Sequence, residues 1–201
     1  RKASSGHAFE EMVKELGTLA LKGTNIKYIL QKDLNTLLKA KELANSPTDI
    51  AWLEKQVKGS VFDAYVIAET KVLDEDTGNI ETKPICFGCV QCKTSIRDRV
   101  SRDIVPSREA MEGKFWSIGF VLDGTMFSVP KYKNMVNGNA ESEFKRNGWH
   151  GMYVLSASES IDRLYGIDTD FNIVREHTLK AYEAWHKDRM GFGISWRADN
   201  K

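Results

Sequence analysis

The chain has 201 residues, of which 41% are hydrophobic and 28% charged, with a formal net charge of +1 at pH 7. This composition predicts a sizeable core in one domain and excludes a disordered chain. The near-neutral charge argues against a protein that coats nucleic acid by charge alone. No stretch of roughly 18 apolar residues predicts a membrane span, and no signal peptide is visible. The first residue is Arg1 rather than Met, which leaves room for a preceding segment.

The first 58 residues predict a mostly helical N-terminal part. Apolar residues recur there at helical spacing, and Pro47 suits the first turn of a helix. In chain order, the predicted helices cover roughly 4–20, 31–44 and 48–58. Gly59 and Ser60 then break the chain.

Residues 59–201 predict an α/β core that begins with a long β-hairpin. Its strands, at about 61–73 and 85–93, are rich in β-branched and aromatic residues. The segments predicted after the hairpin are a helix at about 96–112, a strand at 115–122, a turn into 126–129, a loop at 130–149 with a short helix at 140–146, a strand at 152–155, and helices at 158–164 and 171–188. This order predicts one α/β domain over residues 1–201, with a central mixed β-sheet flanked by helices.

Three polar side chains interrupt the otherwise apolar hairpin. Asp63 lies in the first strand, and Gln91 and Lys93 lie near the end of the second. An ionisable group inside an apolar strand is costly unless it has a partner or a task. Gln91 and Lys93 are two residues apart, so they point to one face of the sheet. If Asp63 faces them, a carboxylate, an amide oxygen and an ammonium group converge.

This trio suits the hydrolysis of a phosphodiester bond. Carboxylate and amide oxygens are hard ligands for Mg²⁺. The metal neutralises phosphate charge and lowers the pKa of a bound water, and a lysine can orient that water or stabilise developing negative charge. The spacing alone is equally compatible with a structural Asp–Lys ion pair.

Three cysteines lie within seven positions, at Cys86, Cys89 and Cys92. The odd number does not suit a secreted disulfide framework and indicates a reducing, intracellular compartment. Strict strand alternation would place Cys86 and Cys92 on one face and Cys89 on the other. The three thiols are therefore expected to be buried and structural, not a zinc or iron–sulfur site.

The order of Asp63 and the later Gln91-x-Lys93 resembles the PD-(D/E)XK nuclease motif, with glutamine in place of the usual second acid. Gly6-x-x-Phe9-Glu10 resembles the helical start common in that superfamily, where the glutamate reaches the metal site. The resemblance implies a restriction-endonuclease-like fold that requires Mg²⁺. It also implies catalytic roles for Asp63, Gln91, Lys93 and Glu10.

The run from Lys93 to Arg99, KTSIRDR, resembles a motif of type II restriction endonucleases that recognise CCGG, CCNGG and related sites. In those enzymes the lysine is catalytic and the charged trio reads base edges. Arg97, Asp98 and Arg99 have suitable chemistry, since arginine donates to guanine and a carboxylate accepts from cytosine N4. The alternative is a solvated, charged start of a helix.

The sequence departs from that pattern at the second acid. Relatives without it often carry a glutamate 13 or 14 residues after the lysine, where this chain has Pro106 and Ser107. The missing metal ligand is therefore assigned first to Glu10 and second to Glu109, with Asp103 also close.

The resemblance implies a site-specific, Mg²⁺-dependent deoxyribonuclease that cuts double-stranded DNA, in the cytoplasm of a prokaryotic cell. The site is expected to contain CC/GG and the product to carry a 5′-phosphate. Lys131 and Lys133, in a polar basic loop, are expected to contact DNA. A palindromic site predicts a homodimer or a tetramer. Two alternatives remain: a repair-type or non-specific nuclease of the superfamily, and a DNA-binding module with a decayed site.

Overall fold

A computed structural model describes residues 2–95 and 100–199, with side chains from Gly6 to Ser95 and from Arg102 to Asp199. The strands are β1 Ile26–Leu30, β2 Ala64–Leu73, β3 Ile80–Lys93, β4 Trp116–Val121, β5 Gly151–Val154, β6 Ser160–Ile161 and β7 Leu164–Gly166. The α-helices are α1 Lys2–Ala20, α2 Gln31–Lys39, α3 Pro47–Lys58, α4 Val100–Glu112, α5 Pro130–Asn137 and α6 Asn172–Lys187.

The seven strands form one sheet in the order β1-β2-β3-β4-β5-β7-β6. The β1, β2 and β3 strands are antiparallel, whereas β3, β4, β5 and β7 run parallel, and β6 returns antiparallel to β7. The predicted α/β fold with a central mixed sheet is therefore confirmed. Within the described residues, no helix has the length and apolar character needed to cross a membrane.

Helices cover both faces of the sheet. On one face, α1 and α6 pack on a core that includes Phe87, Trp116 and Phe120. On the other face, α2, α3 and part of α4 cover Tyr65 and Cys89. Further along that second face, α4 and α5 pack over β4, β5 and β7. Burial on both faces explains why the parallel strands have continuous apolar runs instead of alternating ones.

A β-bulge changes the parity of β3. The register with β2 passes from Val66 opposite Gly88 to Ile67 opposite Cys86, so Phe87 is an extra residue. Cys86 and Cys89 consequently lie on the same face, and Cys92 packs against the other face. The expected alternation of the cysteines is therefore wrong for Cys86, although both Cys86 and Cys89 are buried free thiols.

Several predicted element bounds also differ. The segment at 158–164 is the β6–β7 hairpin and not a helix, because Leu164 and Tyr165 are buried on opposite faces with strand periodicity. The helix predicted at 31–44 ends at Lys39. There Lys41 takes a left-handed conformation and the Glu42 N–H donates to the Leu37 carbonyl at 3.0 Å.

Two further segments differ from the prediction made from the sequence. Strand β1 was not predicted, because it passes directly into α2 without a Gly or Pro break. In the expected loop at 130–149, the helix is α5, with Pro130 in its first turn, and not the segment at 140–146.

A buried histidine joins the sheet to the C-terminal segment. The His150 Nδ1 accepts a hydrogen bond from the Ser117 N–H at 3.0 Å, and its Nε2 lies 2.9 Å from the Gly193 carbonyl. This pair of contacts requires the neutral ring, with the proton on Nε2. Burial lowers the pKa of His150 to about 3.

We expect the free energy of unfolding to fall as the pH is lowered from 7 to 5. In that range the unfolded chain protonates His150 below its ordinary pKa of 6.5, whereas the folded chain does not. The loss due to this residue is about 2 kcal/mol at pH 5. Urea unfolding at several pH values measures it.

His150→Asn should be less stable at pH 7 and show a smaller loss between pH 7 and pH 5. The matched control is His186→Gln, because His186 is exposed on α6. An unchanged pH dependence in His150→Asn would refute this role of His150.

Candidate active site

Three strands bring their ends together at one end of the sheet. The last residue of β1, the residue before β2 and the last residues of β3 are adjacent through the antiparallel pairing. Asp63 stands immediately before β2, where its N–H donates to the Val90 carbonyl at 3.0 Å. The Asp63 Oδ2 accepts from the Cys92 N–H at 2.7 Å. The carboxylate is thus fixed against the strand that carries Lys93.

A second carboxyl group, that of Glu10, reaches the same place from α1. Burial, the negative charge of Asp63 and a hydrogen bond with Asp63 raise the pKa of Glu10. The His7 Nδ1 lies 3.5 Å from the Glu10 Oε2 and partly offsets this effect. These side chains line a cleft of about 570 Å³ that also includes Gln31 and Lys32.

Lys93 ends β3 and is half-buried. Its Nζ lies 3.4 Å from the Asp103 Oδ2, on the first turn of α4. The ammonium group of Lys93 is thus paired with Asp103, while the backbone of the preceding residue, Cys92, is bound to Asp63.

The Gln91 side chain points away from Asp63. Its Oε1 accepts from the Trp149 Nε1 at 2.7 Å, and its Nε2 donates to the Asp103 carbonyl at 3.0 Å. Gln91 is 5% exposed, so both ends of its amide are used inside the protein. The expected convergence of its oxygen with Asp63 is therefore wrong. Asp63 approaches the edge of β3, whereas Gln91 projects from the face covered by α4.

The other predicted site residues have different positions. Glu109 is exposed on α4, and no hydrogen bond or ion pair within the described residues joins it to Asp63, Glu10 or Lys93. Lys131 and Lys133 lie on α5, beyond the carboxyl end of β4, with Lys131 exposed. The predicted base readers Arg97, Asp98 and Arg99 lie outside the described residues.

The two adjacent carboxyl groups fit a divalent cation. Mg²⁺ commonly uses one or two protein carboxylates and completes its shell with water and substrate phosphate. Within the described residues, no group of three or more His, Cys, Asp and Glu side chains is arranged as a metal site. Glu10 and Asp63 are thus sufficient for an ion held jointly with a phosphate, and too few for a metal enclosed by protein.

The seven-stranded mixed sheet flanked by helices has the restriction-endonuclease fold, and Glu10, Asp63 and Lys93 lie at one end of it. Residues 39–190 match the model of the BsaWI restriction endonuclease type 2 family, and the chain belongs to that family. It is accordingly a type II restriction endonuclease, a site-specific deoxyribonuclease.

Two solved structures are similar to this chain. Restriction endonuclease BsaWI, in a pre-specific complex with DNA, matches with a TM-score of 0.85 and 46% identity over 100% of this chain and 70% of its own. Restriction endonuclease AgeI, in a specific DNA complex, matches with a TM-score of 0.53 and 17% identity over 85% of this chain and 66% of its own. The AgeI match supports the fold alone. No curated protein matches the sequence.

Sequence reasoning missed two residues of this region. Trp149, which binds Gln91, is 58 positions away from it and carries no local signal. His7 lies one helical turn before Glu10, and that spacing alone could have linked it to the site.

We expect Trp149→Phe to destabilise the protein by about 1–3 kcal/mol, because the buried Gln91 oxygen loses its donor. In a Gln91→Met background the same substitution should cost less, since no oxygen is left unpaired. A double-mutant cycle by urea unfolding measures the coupling. Trp52→Phe is the control, because Trp52 packs on Phe115 and should not couple to Gln91. A coupling near zero for Trp149 would contradict this account.

Proposed function

We propose that this enzyme hydrolyses double-stranded DNA with Mg²⁺, at a site containing CC/GG, using Asp63, Glu10 and Lys93. The observation that carries the proposal is the hydrogen bond from the Cys92 N–H to Asp63. It holds one carboxylate against the strand end that presents Lys93, while Glu10 adds a second carboxylate.

Each of the three residues has a distinct task in this mechanism. Asp63 and Glu10 hold the metal, and Lys93 orients the attacking water and stabilises charge on the phosphate. When bound, Mg²⁺ supplies charge neutralisation and a more acidic water. Asp103 pairs with Lys93 and keeps the ammonium group in place.

Gln91 serves as a positioning residue in this proposal. It joins β3 to the Asp103 carbonyl on α4 and to Trp149. These bonds hold β3, which carries the proposed catalytic lysine, in a fixed position relative to α4, which follows the proposed base readers. Glu109 remains a weaker candidate for a metal ligand, since its exposed position on α4 requires DNA or a second copy to bring it into use.

Recognition is assigned to the segment between β3 and α4. Arg97, Asp98 and Arg99 would read C·G pairs, since arginine donates to guanine O6 and N7 and aspartate accepts from cytosine N4. Lys131 and Lys133 would contact the DNA backbone. A palindromic site of this kind is read by two copies, so we propose a homodimer, or a tetramer built from dimers, acting in the prokaryotic cytoplasm.

Digestion of a plasmid of known sequence with Mg²⁺ should give discrete bands, and sequencing of the ends should reveal CC/GG. Asp63→Asn keeps an acceptor for the Cys92 N–H and should fold, yet abolish cutting. Lys93→Ala should do the same, and both variants should retain specific DNA binding. Cutting without fixed sequence would favour a repair-type nuclease. Specific binding without cutting by the wild type would favour a decayed site.

The matched control for Lys93→Ala is Lys71→Ala, an exposed lysine in the distal half of β2. It should cut like the wild type. Persisting cleavage by Asp63→Asn would overturn the assignment of the metal ligand.

Glu10→Gln should stabilise the metal-free protein slightly, because it removes a carboxyl group that Asp63 disfavours as an anion. It should also reduce the rise in melting temperature that added Mg²⁺ gives, since a ligand stabilises only the state that binds it. Thermal unfolding with and without Mg²⁺ measures both effects. Glu109→Gln is the control. If Glu109→Gln alone removed the Mg²⁺ effect, the second acid would be Glu109.

A further inference from the structure

A groove of about 500 Å³ runs between α2 and α3 on the outside of the sheet. Three exposed lysines line it: Lys32, Lys39 and Lys58. Glu54 is the one acidic residue among the described residues that line the groove. The groove therefore carries a net positive charge and has open access to solvent.

The groove borders the candidate active-site cleft. Gln31 and Lys32 line both of them. The Gln31 Nε2 donates to the Val57 carbonyl at 3.0 Å and to the Ser60 Oγ at 3.2 Å. These bonds fix the first turn of α2 against the end of α3 at the point where cleft and groove meet.

Lys32 can exchange its ion-pair partner for phosphate. Lys32 is 72% exposed and lies 3.9 Å from Glu11, a solvent-exposed pair of the kind that contributes little to stability. Lys39 and Lys58 occupy the last turns of α2 and α3. A cation there interacts favourably with the helix dipole. A purely structural role for these lysines would therefore appear as a change in stability.

We propose that the α2–α3 groove binds the sugar-phosphate backbone of the substrate DNA outside the recognition site. This proposal rests on the proposed function. A DNA strand that leaves the cleft past Gln31 and Lys32 is a continuous polyanion, and the groove offers positive charge along that path. Lysine is a point charge that neutralises phosphate without reading sequence. The groove thus adds affinity for DNA but no base preference.

The test compares the triple variant Lys32→Ala, Lys39→Ala, Lys58→Ala with its parent, both carrying Lys93→Ala so that DNA is not cut. Binding to a specific duplex is measured over a range of salt concentrations. Each lysine that neutralises a phosphate should contribute about 0.9 to the slope of log K against log salt. The triple variant should therefore lose roughly 2 to 3 from that slope and bind specific and unrelated duplexes weaker by the same factor.

Duplex length locates the contact. On a duplex that extends well beyond the recognition site, the triple variant should show the whole predicted loss of salt slope and of affinity relative to its parent. On a duplex that ends beside the site, the difference should shrink, because the groove has no phosphates to bind. A difference independent of duplex length would overturn the placement outside the site.

The matched control removes three exposed lysines elsewhere: Lys71 on β2, and Lys180 and Lys187 on α6. It loses the same charge but should keep the parental slope. Lys-to-Arg substitution at the three groove positions should restore binding. Three results would refute DNA binding by the groove. They are an unchanged slope in the groove variant, an equal loss of slope in the control, and a fall in melting temperature without a change in slope. Failure of the wild type to cut DNA with Mg²⁺ would instead refute the proposed function.

Discussion

The hydrogen bond between the Cys92 N–H and the Asp63 carboxylate is the constraint on which the site depends. Asp63 donates its own N–H to the Val90 carbonyl, so its side chain completes the ladder where the backbone pairing of β2 and β3 ends. The position of the acid is therefore set by the register of the sheet. An acid placed by strand pairing needs no loop to hold it. A carboxylate whose oxygen accepts a bond from a backbone N–H also stabilises the fold. Loss of the Asp63 carboxylate would therefore affect both the stability of the protein and the proposed site.

The same strand fixes a second set of contacts on its other side. Gln91 uses both ends of its amide, toward Trp149 and toward α4, and Lys93 pairs with Asp103 on that helix. A buried glutamine destabilises a sheet when its amide lacks hydrogen-bond partners. Here the Gln91 Nε2 donates to the Asp103 carbonyl on α4, and the Gln91 Oε1 accepts from the Trp149 indole. Asp103 is bound through its backbone and through its carboxylate, so α4 is tied to β3 at two points.

Local patterns in the sequence were sufficient for the hairpin, for the sheet class and for placing Lys93 at the end of a strand, whereas Asp63 lies just before β2 and not inside it as predicted. Those signals are short-range, because strand periodicity and a charged residue in an apolar run can be read from a few neighbours. The partner of Gln91 could not be read in this way, since Trp149 reaches it only through the crossover of α4 and β4. Strand β1 was missed because no turn residue separates Leu30 from Gln31. The β6–β7 hairpin was taken for a helix because its strands are only two and three residues long.

The bulge at Phe87 sets which face of the sheet Lys93, the proposed catalytic lysine, projects from. Because β3 carries one extra residue at the bulge, every side chain after the bulge projects from the opposite face to the one it would occupy in a regular strand. A relative that lost this residue without a second change would present the lysine to α1 and α6, away from α4. Single insertions and deletions in this hairpin should therefore be selected against far more strongly than paired ones. The length of β3 between the bulge and Lys93 is in effect a fixed spacer, whereas the tip of the hairpin is free to vary.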